Sequence, residues 1–293
     1  GGVDPAADWI RRALEAGKSV VTANKQVIAQ CGPVLADVAR RRHRHLCFEA
    51  GVAGGIPVIR ALQEGLAGDR LFRILGILNG TCNYILTRME VDQVPFAAAL
   101  REAQELGYAE ADPTADVDGF DAQAKLAILT AVGLHRQIDV DAIPLRTVTT
   151  IDPIDFIYAK RLQCTIRQVA RAELDASNSD RVLASVQPAL VPFSSMLARV
   201  EGSRNVVVVE GMFGGETAFS GHGAGGDPTA VAVVSDLESI ARRGGDPASA
   251  LPAVGPAAEV EHEFVAPHYV RFIVADRPGI IAAFDPHPVR HFK

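Results

Sequence analysis

Ser19-Val20-Val21-Thr22-Ala23, a helical pattern from about 26 to 42, and then His45-Leu46-Cys47-Phe48-Glu49 form the stretch that decides the fold. The first run is short and β-branched, as a buried strand requires, and the second reads as its partner. Strand, helix and strand at this spacing make a βαβ unit, and two strands joined by a crossover helix lie parallel in one sheet. Gly32-Pro33 falls inside the helical pattern and allows a bend or a restart there. Upstream, Gly1-Gly2-Val3-Asp4-Pro5 is loop chemistry, and a helix over 6–16 stops at Gly17, a favoured residue just past a helix end. Two strands cannot cover both faces of a parallel sheet, so the chain is expected to begin partway through a doubly wound domain.

The 293 residues are too many for one compact core, and two or three domains are expected. From 56 to about 219, helical patterns over 57–66, 95–106 and 121–132 mix with strand-like runs over 71–78 and 206–209, the texture of an α+β domain. A further amphipathic helix over 230–243 is closed by Gly244-Gly245. Residues 246–258, rich in Pro and Ala, read as a linker. After it, 269–274 alternates like a strand, and Arg277-Pro278-Gly279-Ile280-Ile281 opens a helix.

Composition removes several classes of function. There are 29 basic against 35 acidic side chains, a net charge of −6, so neither a nucleic-acid scaffold nor a disordered acidic tail fits. No apolar run approaches the roughly 18 residues of a membrane span, and no basic segment with an apolar run opens the chain. Cys31, Cys47, Cys82 and Cys164 lie far apart without a C-x-x-C pair, which disfavours zinc ribbons and disulfide frameworks and suits a reducing cytoplasm.

Chemistry concentrates in four places. Between Gly107 and Asp121, five carboxylates (Glu110, Asp112, Asp116, Asp118, Asp121) fall within twelve residues, with Lys125 one helical turn further on. Asp116-x-Asp118-Gly119 imitates the centre of a calcium loop, but that register puts Lys125 where a bidentate Glu is required. A purely structural account makes Asp118 the N-cap, Asp121 the N3 residue and Asp121–Lys125 an i,i+4 ion pair of about 0.2–0.5 kcal/mol. The same spacing lets Asp121 and Lys125 point into one cleft with Glu110 arriving from the loop. There carboxylates would hold the α-ammonium of an amino-acid-like substrate while the lysine protonates a developing alkoxide. Lys25, in Ala23-Asn24-Lys25, sits at the carboxyl end of a parallel strand, where open α/β folds bind ligands. Glu49-Ala50-Gly51-Val52-Ala53-Gly54-Gly55-Ile56-Pro57 lies at another such end. It reads either as a tight turn or as oxygen ligation of a hard cation. Gly221-His222-Gly223-Ala224-Gly225-Gly226 runs into a helix and matches G-x-G-x-x-G without a clear βαβ context; His222 reads as a loop histidine.

Together, VVTANK (20–25), EAGVAGGIPVI (49–59), GILNGTCNYILTRM (76–89), LGYAEADPTADVDGFDAQAKLAIL (106–129) and FSGHGAGGDPTAVAVVSDLESIAR (219–242) resemble homoserine dehydrogenases, in order and spacing, across 1–243. The run from 269 to 284 is similar to the start of an ACT regulatory domain. The resemblance implies NAD(P)H-dependent reduction of L-aspartate 4-semialdehyde to L-homoserine, on the way to threonine and methionine. It puts the proton-donating lysine on Lys125 and the substrate-binding acids on Glu110 and Asp121. Lys25 falls beside nicotinamide and substrate, and Gly107 and Gly225 match glycines that approach the cofactor. A monovalent cation, Na+ or K+, maps to Glu49 with the carbonyls of Val52, Gly54 and Ile56. A homodimer or homotetramer pairing through the substrate domain's sheet is implied as well.

The resulting fold expectation is α/β plus α+β: a partial doubly wound (Rossmann-type) nucleotide-binding domain over 1–50 and a substrate-binding and dimerisation domain over 51–225. A helix over 226–243 returns to the first domain, and a linker over 244–266 precedes an ACT-like fragment over 267–293. The phosphate-binding G-x-G-x-x-G and the first βαβ units of the family pattern are missing, and 285–293 fits nothing in the family. Between 147 and 171 the match is loose. A non-catalytic remnant or regulatory fragment is the alternative. An aspartate-semialdehyde dehydrogenase that forms an acyl intermediate needs a Cys–His pair, and Cys82, in the clustered motifs, has no His nearby in sequence. Without the pyrophosphate cradle, this 293-residue polypeptide is expected to bind NADPH more weakly than micromolar, and a fluorescence titration giving ordinary micromolar affinity contradicts that expectation.

Overall fold

The computed structural model describes residues 2–178, 180–244, 251, 257–261 and 266–273. Helix α1 (Ala6–Glu15) buries Ile10 and Leu14, one turn apart, and leaves Trp9 on the surface. Strand β1 (Val20–Val21) follows, then helix α2 (Lys25–Arg41) and strand β2 (Leu46–Cys47). The two strands pair in parallel, Val20 opposite Leu46 and Val21 opposite Cys47, so the βαβ unit is present. Both strands are shorter than the apolar runs that announced them, and β1 is half-buried, not buried.

The start of α2 is fixed by Asn24, whose side chain accepts from the Val27 N–H at 3.2 Å. The helix neither bends into two nor restarts at Pro33. Val27, Ile28, Leu35, Ala36 and Ala39 keep one face buried on both sides of the proline, and that packing outweighs one missing backbone bond. The pattern over 57–66 is likewise not one α-helix. It splits into a single α-turn, α3 (Val58–Arg60), and a π-turn over Ala61–Gly65.

A six-stranded sheet forms the second unit. Strand β3 (Leu71–Ile77) leads into helices α4 (Gly80–Asp92), α5 (Phe96–Glu105), α6 (Thr114–Val117), α7 (Phe120–Gly133) and α8 (Pro153–Arg161). Then come β4 (Cys164–Leu174), β5 (Arg181–Pro192), β6 (Arg204–Gly211), β7 (Gly215–His222), helix α9 (Gly226–Arg243) and β8 (Glu259–Glu261). The spatial order is β7-β6-β3-β4-β5-β8, antiparallel throughout except for the parallel β5–β8 pair. Helices α4 and α7 pack on one face. Every residue of α7 from Asp121 to Gly133 is buried, which suits a helix apolar on all sides. Because side chains alternate along a strand, Val207 and Val209 of β6 join the core under α7. Val206 and Val208 join a separate core on the opposite face, with Ile77, Val169, Val191, Leu197 and Val200.

Several sequence expectations are corrected here. Asp118 does not cap α7: the cap position is Gly119 at φ 94°, with no side-chain bond, after the short helix α6 has already turned the chain. Helix α9 begins at Gly226, not at residue 230. The loosely matching segment contains α8, opened by a capping box in which Asp152 and Asp155 each bond the other's backbone end. The long strands β4 and β5 that follow carried no expected strand. The expected linker over 244–266 is not all connector, since Glu259–Glu261 adds an edge strand and Leu251 is buried, its δ-methyl closing on Gly32. Residues 266–273 contain no strand, against the alternation read there, and are held on α8 by Tyr269 Oη and Arg271 Nε, each 2.8 Å from Asp155 Oδ1. The expected helix from Arg277 and the segment 285–293 lie outside the described residues.

The polar interruption of β4 is resolved by pairing. Arg167 is 1% exposed, and its guanidinium meets Glu90 Oε2 at 2.8 Å and Thr165 Oγ1 at 2.7 Å. Removing Glu90 leaves a buried cation without its counter-charge, so Glu90→Ala is expected to cost about 2–4 kcal/mol in chemical denaturation. An unchanged midpoint contradicts that account.

Candidate functional site

A cavity of about 500 Å³ lies where the carboxyl end of β1, the loop after β2, the starts of α4 and α7, and the loop between β7 and α9 converge. Its entrance from the parallel unit carries Lys25, and its floor carries Asn79, Asp116, Asp121 and Lys125. Two glycine loops close one side. Gly54 has φ +47°, and a Cβ there would stand 2.6 Å from the carbonyl oxygen of Gly223; the Gly55 N–H donates to His222 O at 3.1 Å. The loops therefore touch backbone to backbone, which side chains would prevent.

The charged groups form one network. Lys125 Nζ donates to Asp121 Oδ2 and to the carbonyl oxygen of Leu78, both at 2.7 Å. Lys25 Nζ approaches Asp121 Oδ1 at 3.1 Å. The amide of Asn79 donates to Asp121 Oδ2 at 2.9 Å and to Asp116 Oδ1 at 2.6 Å. Asn205 shares the Leu78 carbonyl with Lys125, at 2.8 Å, and its own Oδ1 is buried without a partner. Burial works against a charge on Asp121, but Lys125 and Lys25, with the bonds from Lys125 and Asn79, outweigh it and hold the carboxyl down to about 2. Asp116 shifts the other way: burial raises it, with the neighbouring Asp121 adding to the rise, against the bond from Asn79.

Lys25, Gly54, Gly107, Asp121, Lys125 and Gly225 all line the cavity. Gly107 is positioned by its backbone, at φ +76°, with open space around it. Glu110 is exposed and outside the lining; its carbonyl, not its carboxylate, is engaged, by Gln104. Val52 and Ile56 are buried behind the loop, and the Ile56 carbonyl accepts from the Val58 N–H at 2.7 Å. The carboxylate of Glu49 does not bring its charge to the glycine loop. It accepts from the N–H groups of Ile59 and Arg60, at 2.7 and 3.0 Å, and so caps the α3 turn. Burial pushes this carboxyl up to about 7, despite those two bonds, and Asp236 adds to the rise. Among the described residues no group of three or more His, Cys, Asp or Glu is placed to hold a metal ion. His222 lines the cavity at the end of β7.

Sequence reasoning missed Asn79, Asn205 and Tyr108 as lining residues, and saw Asp116 only as part of a calcium-like pattern. A signal for Asn79 was available: an Asn-Gly-Thr directly after a strand is a helix start, and at a strand's end that cap faces the site.

Placed at the carboxyl ends of parallel strands and closed by glycine loops, this lysine–carboxylate cavity marks a two-unit α/β protein whose cleft lies where a βαβ unit meets a second, sheet-based unit. The profile of the homoserine dehydrogenase family matches residues 57–237, and the chain belongs to that family. A homoserine dehydrogenase of Mycobacterium tuberculosis is 46% identical over 97% of this chain and 65% of its own length. One of Bacillus subtilis is 43% identical over 82% of this chain and 55% of its own. The chain thus spans just under two thirds of the first of these. Among solved structures, a homoserine dehydrogenase from Thiobacillus denitrificans superposes with a TM-score of 0.81 at 36% identity, over 87% of this chain and 61% of the other. A hyperthermophilic archaeal homoserine dehydrogenase in complex with NADPH gives 0.71 at 29% identity, over 83% and 70%.

The depressed carboxyl of Asp121 has a consequence for stability. Its folded value of about 2 lies below the ordinary 3.8, so its contribution is present at neutral pH and is lost as pH falls from about 4 to about 2. Asp121→Asn is expected to flatten that part of the unfolding profile, by about 2 kcal/mol between its ends. A variant profile that parallels the parent's contradicts the ion pairs.

Proposed function

We propose that this chain carries the substrate site of an oxidoreductase that reduces L-aspartate 4-semialdehyde to L-homoserine with NAD(P)H. The observation that carries the reading is the single network of Lys25, Asp121, Lys125 and Asn79 in a cavity faced by two glycine loops. The cavity fits the nicotinamide end of such a cofactor: Lys25 stands at its mouth, and the α9 N-terminus, free of side chains at Gly225 and Gly226, opens toward it. When bound, the reduced nicotinamide would supply hydride to the aldehyde carbon.

The chain's own residues supply the rest. An ammonium has three N–H groups, and Lys125 spends two on Asp121 and Leu78 O, which aims the remaining proton. Lys125 gives that proton to the oxygen as it becomes an alkoxide. Asp121, saturated by two lysines and Asn79, orients both lysines. Asp116, which makes no ion pair among the described residues, is the acceptor for the substrate's α-ammonium beside it. Glu110, on the exposed segment after Gly107, is the further acid assigned to this end of the ligand. Lys25 lies between substrate and nicotinamide. A monovalent cation held by the carbonyls of Glu49, Val52, Gly54 and Ile56 would stiffen the loop against Gly223, with the Glu49 carboxylate occupied elsewhere. The enzyme works in the cytoplasm as a homodimer or homotetramer, pairing through the six-stranded sheet.

At millimolar NADPH, the polypeptide is expected to consume the cofactor on addition of L-aspartate 4-semialdehyde. Lys125→Ala is expected to lower that rate at least about a hundredfold while leaving the circular dichroism spectrum unchanged. No consumption by the parent chain overturns the reading, and an undiminished rate in the variant removes Lys125 as donor.

A further inference from the structure

Asn79 follows β3 directly and is 4% exposed. One of its duties is plain: its Oδ1 accepts from the Cys82 N–H at 2.7 Å and caps α4. That bond also fixes which way the amide faces. A backbone N–H can only donate, so oxygen must meet Cys82 and the NH2 must face the other side. There it meets two carboxylates, donating to Asp116 and Asp121. Capping alone does not call for this, because Ser, Thr and Asp cap helices as well as Asn and offer no such donor pair.

The two carboxylates differ in what else holds them. Asp121 has Lys25 on one oxygen and Lys125 on the other. Asp116 makes no ion pair among the described residues; Asn79 donates to it at 2.6 Å, Thr81 is a further side-chain donor, and the charge of Lys125 acts on it from nearby. The groups around it are Thr81 and Cys82 from α4, Asp121 and Lys125 from α7, Asp118 from the turn between α6 and α7, and Gln168 from β4, which donates to its carbonyl at 3.4 Å. Two of these are further carboxylates.

We propose that Asn79 is a positioning residue, whose amide sets Asp116 beside Asp121 as the acceptor for the ammonium of a zwitterionic amino-acid ligand, a role separate from its helix cap. The proposal rests on the functional reading above. Without the amide, Asp116 keeps Thr81 but loses the stronger of its two side-chain donors, while its burial and its acidic neighbours stay, so it takes up a proton at higher pH and releases the ligand's ammonium there.

The test is calorimetric titration of the full chain with L-homoserine from mildly acidic to neutral pH. Asn79→Ser keeps a cap oxygen and removes the NH2 group that bonds both carboxylates; Asn79→Thr does the same without adding charge and serves where the serine variant does not fold. For either variant the acid limb of binding is expected to move up by about one pH unit, and affinity at neutral pH to fall about tenfold. Asp116→Asn is expected to abolish the limb. An unmoved limb with a lowered unfolding midpoint means that Asn79 is a cap only, and overturns the proposal. Failure of the parent chain to bind L-homoserine at any pH overturns the functional reading, and this proposal with it. Binding by the parent with an unmoved limb overturns this proposal alone.

Discussion

One carboxylate, that of Asp121, joins three elements of the structure. Lys25 reaches it from the first turn of α2, Lys125 from one turn further along α7, and Asn79 from the first residue before α4. Taking ions out of water costs several kcal/mol each, and α7 is buried on every side, so this helix tolerates charge only where partners meet it at hydrogen-bonding distance. The match must therefore be made by residues distant in sequence. It fixes the parallel unit against the sheet domain at one point, and that point is the floor of the cavity.

A second junction sits behind the first. Gly54 and Gly55 approach the 222–223 backbone closely enough to exclude side chains, and Glu49, just upstream, ties the same loop to α3 and α9. Its N–H donates to Asp236 Oδ2 at 2.9 Å, and Arg60 bridges to Asp236 Oδ1 at 3.2 Å. The glycine loop is therefore held from beneath, through an acid whose hydrogen bonds serve the fold. A loop fixed in this way can present carbonyl groups to the cavity at little further entropic cost.

What the sequence made legible follows from the range of the forces involved. The βαβ unit, α5 and β3 carry local patterns and α7 a long apolar run, and the i,i+4 spacing of Asp121 and Lys125 implies a shared face whatever surrounds it. The failures have tertiary causes. Gly119 replaces Asp118 as the α7 cap because α6 has already turned the chain. Strands β4 and β5 are hidden because Arg167 and Gln168 break the apolar pattern of the first and Gln187 and Pro188 that of the second, and it is Glu90, Thr165 and the Ile166 carbonyl that let the buried arginine be tolerated. Glu110 reads like Asp121 in sequence, yet it lies on the exposed side of the Gly107 turn. Asp116 looked like a loop acid until Asn79, 37 residues earlier, was seen to bond it.

The charge balance of the cavity narrows what it can hold. Lys25 and Lys125 offset Asp116 and Asp121 when both acids are ionised, so the floor as a whole is neutral. A free anion or cation would unbalance it and would pay its own desolvation in full. A zwitterion brings no net charge, and its ammonium can replace the solvent around Asp116, the acid without a direct ion pair among the described residues. Its far end then falls toward Lys125, whose two bonds leave a proton directed at whatever oxygen arrives. On the proposed reading, the polarity of the network would orient an α-amino acid by its amino group and place a carbonyl at its other end beside Lys125. A ligand bound in reverse would set its ammonium against Lys125, and like charges at that distance repel strongly in a buried site.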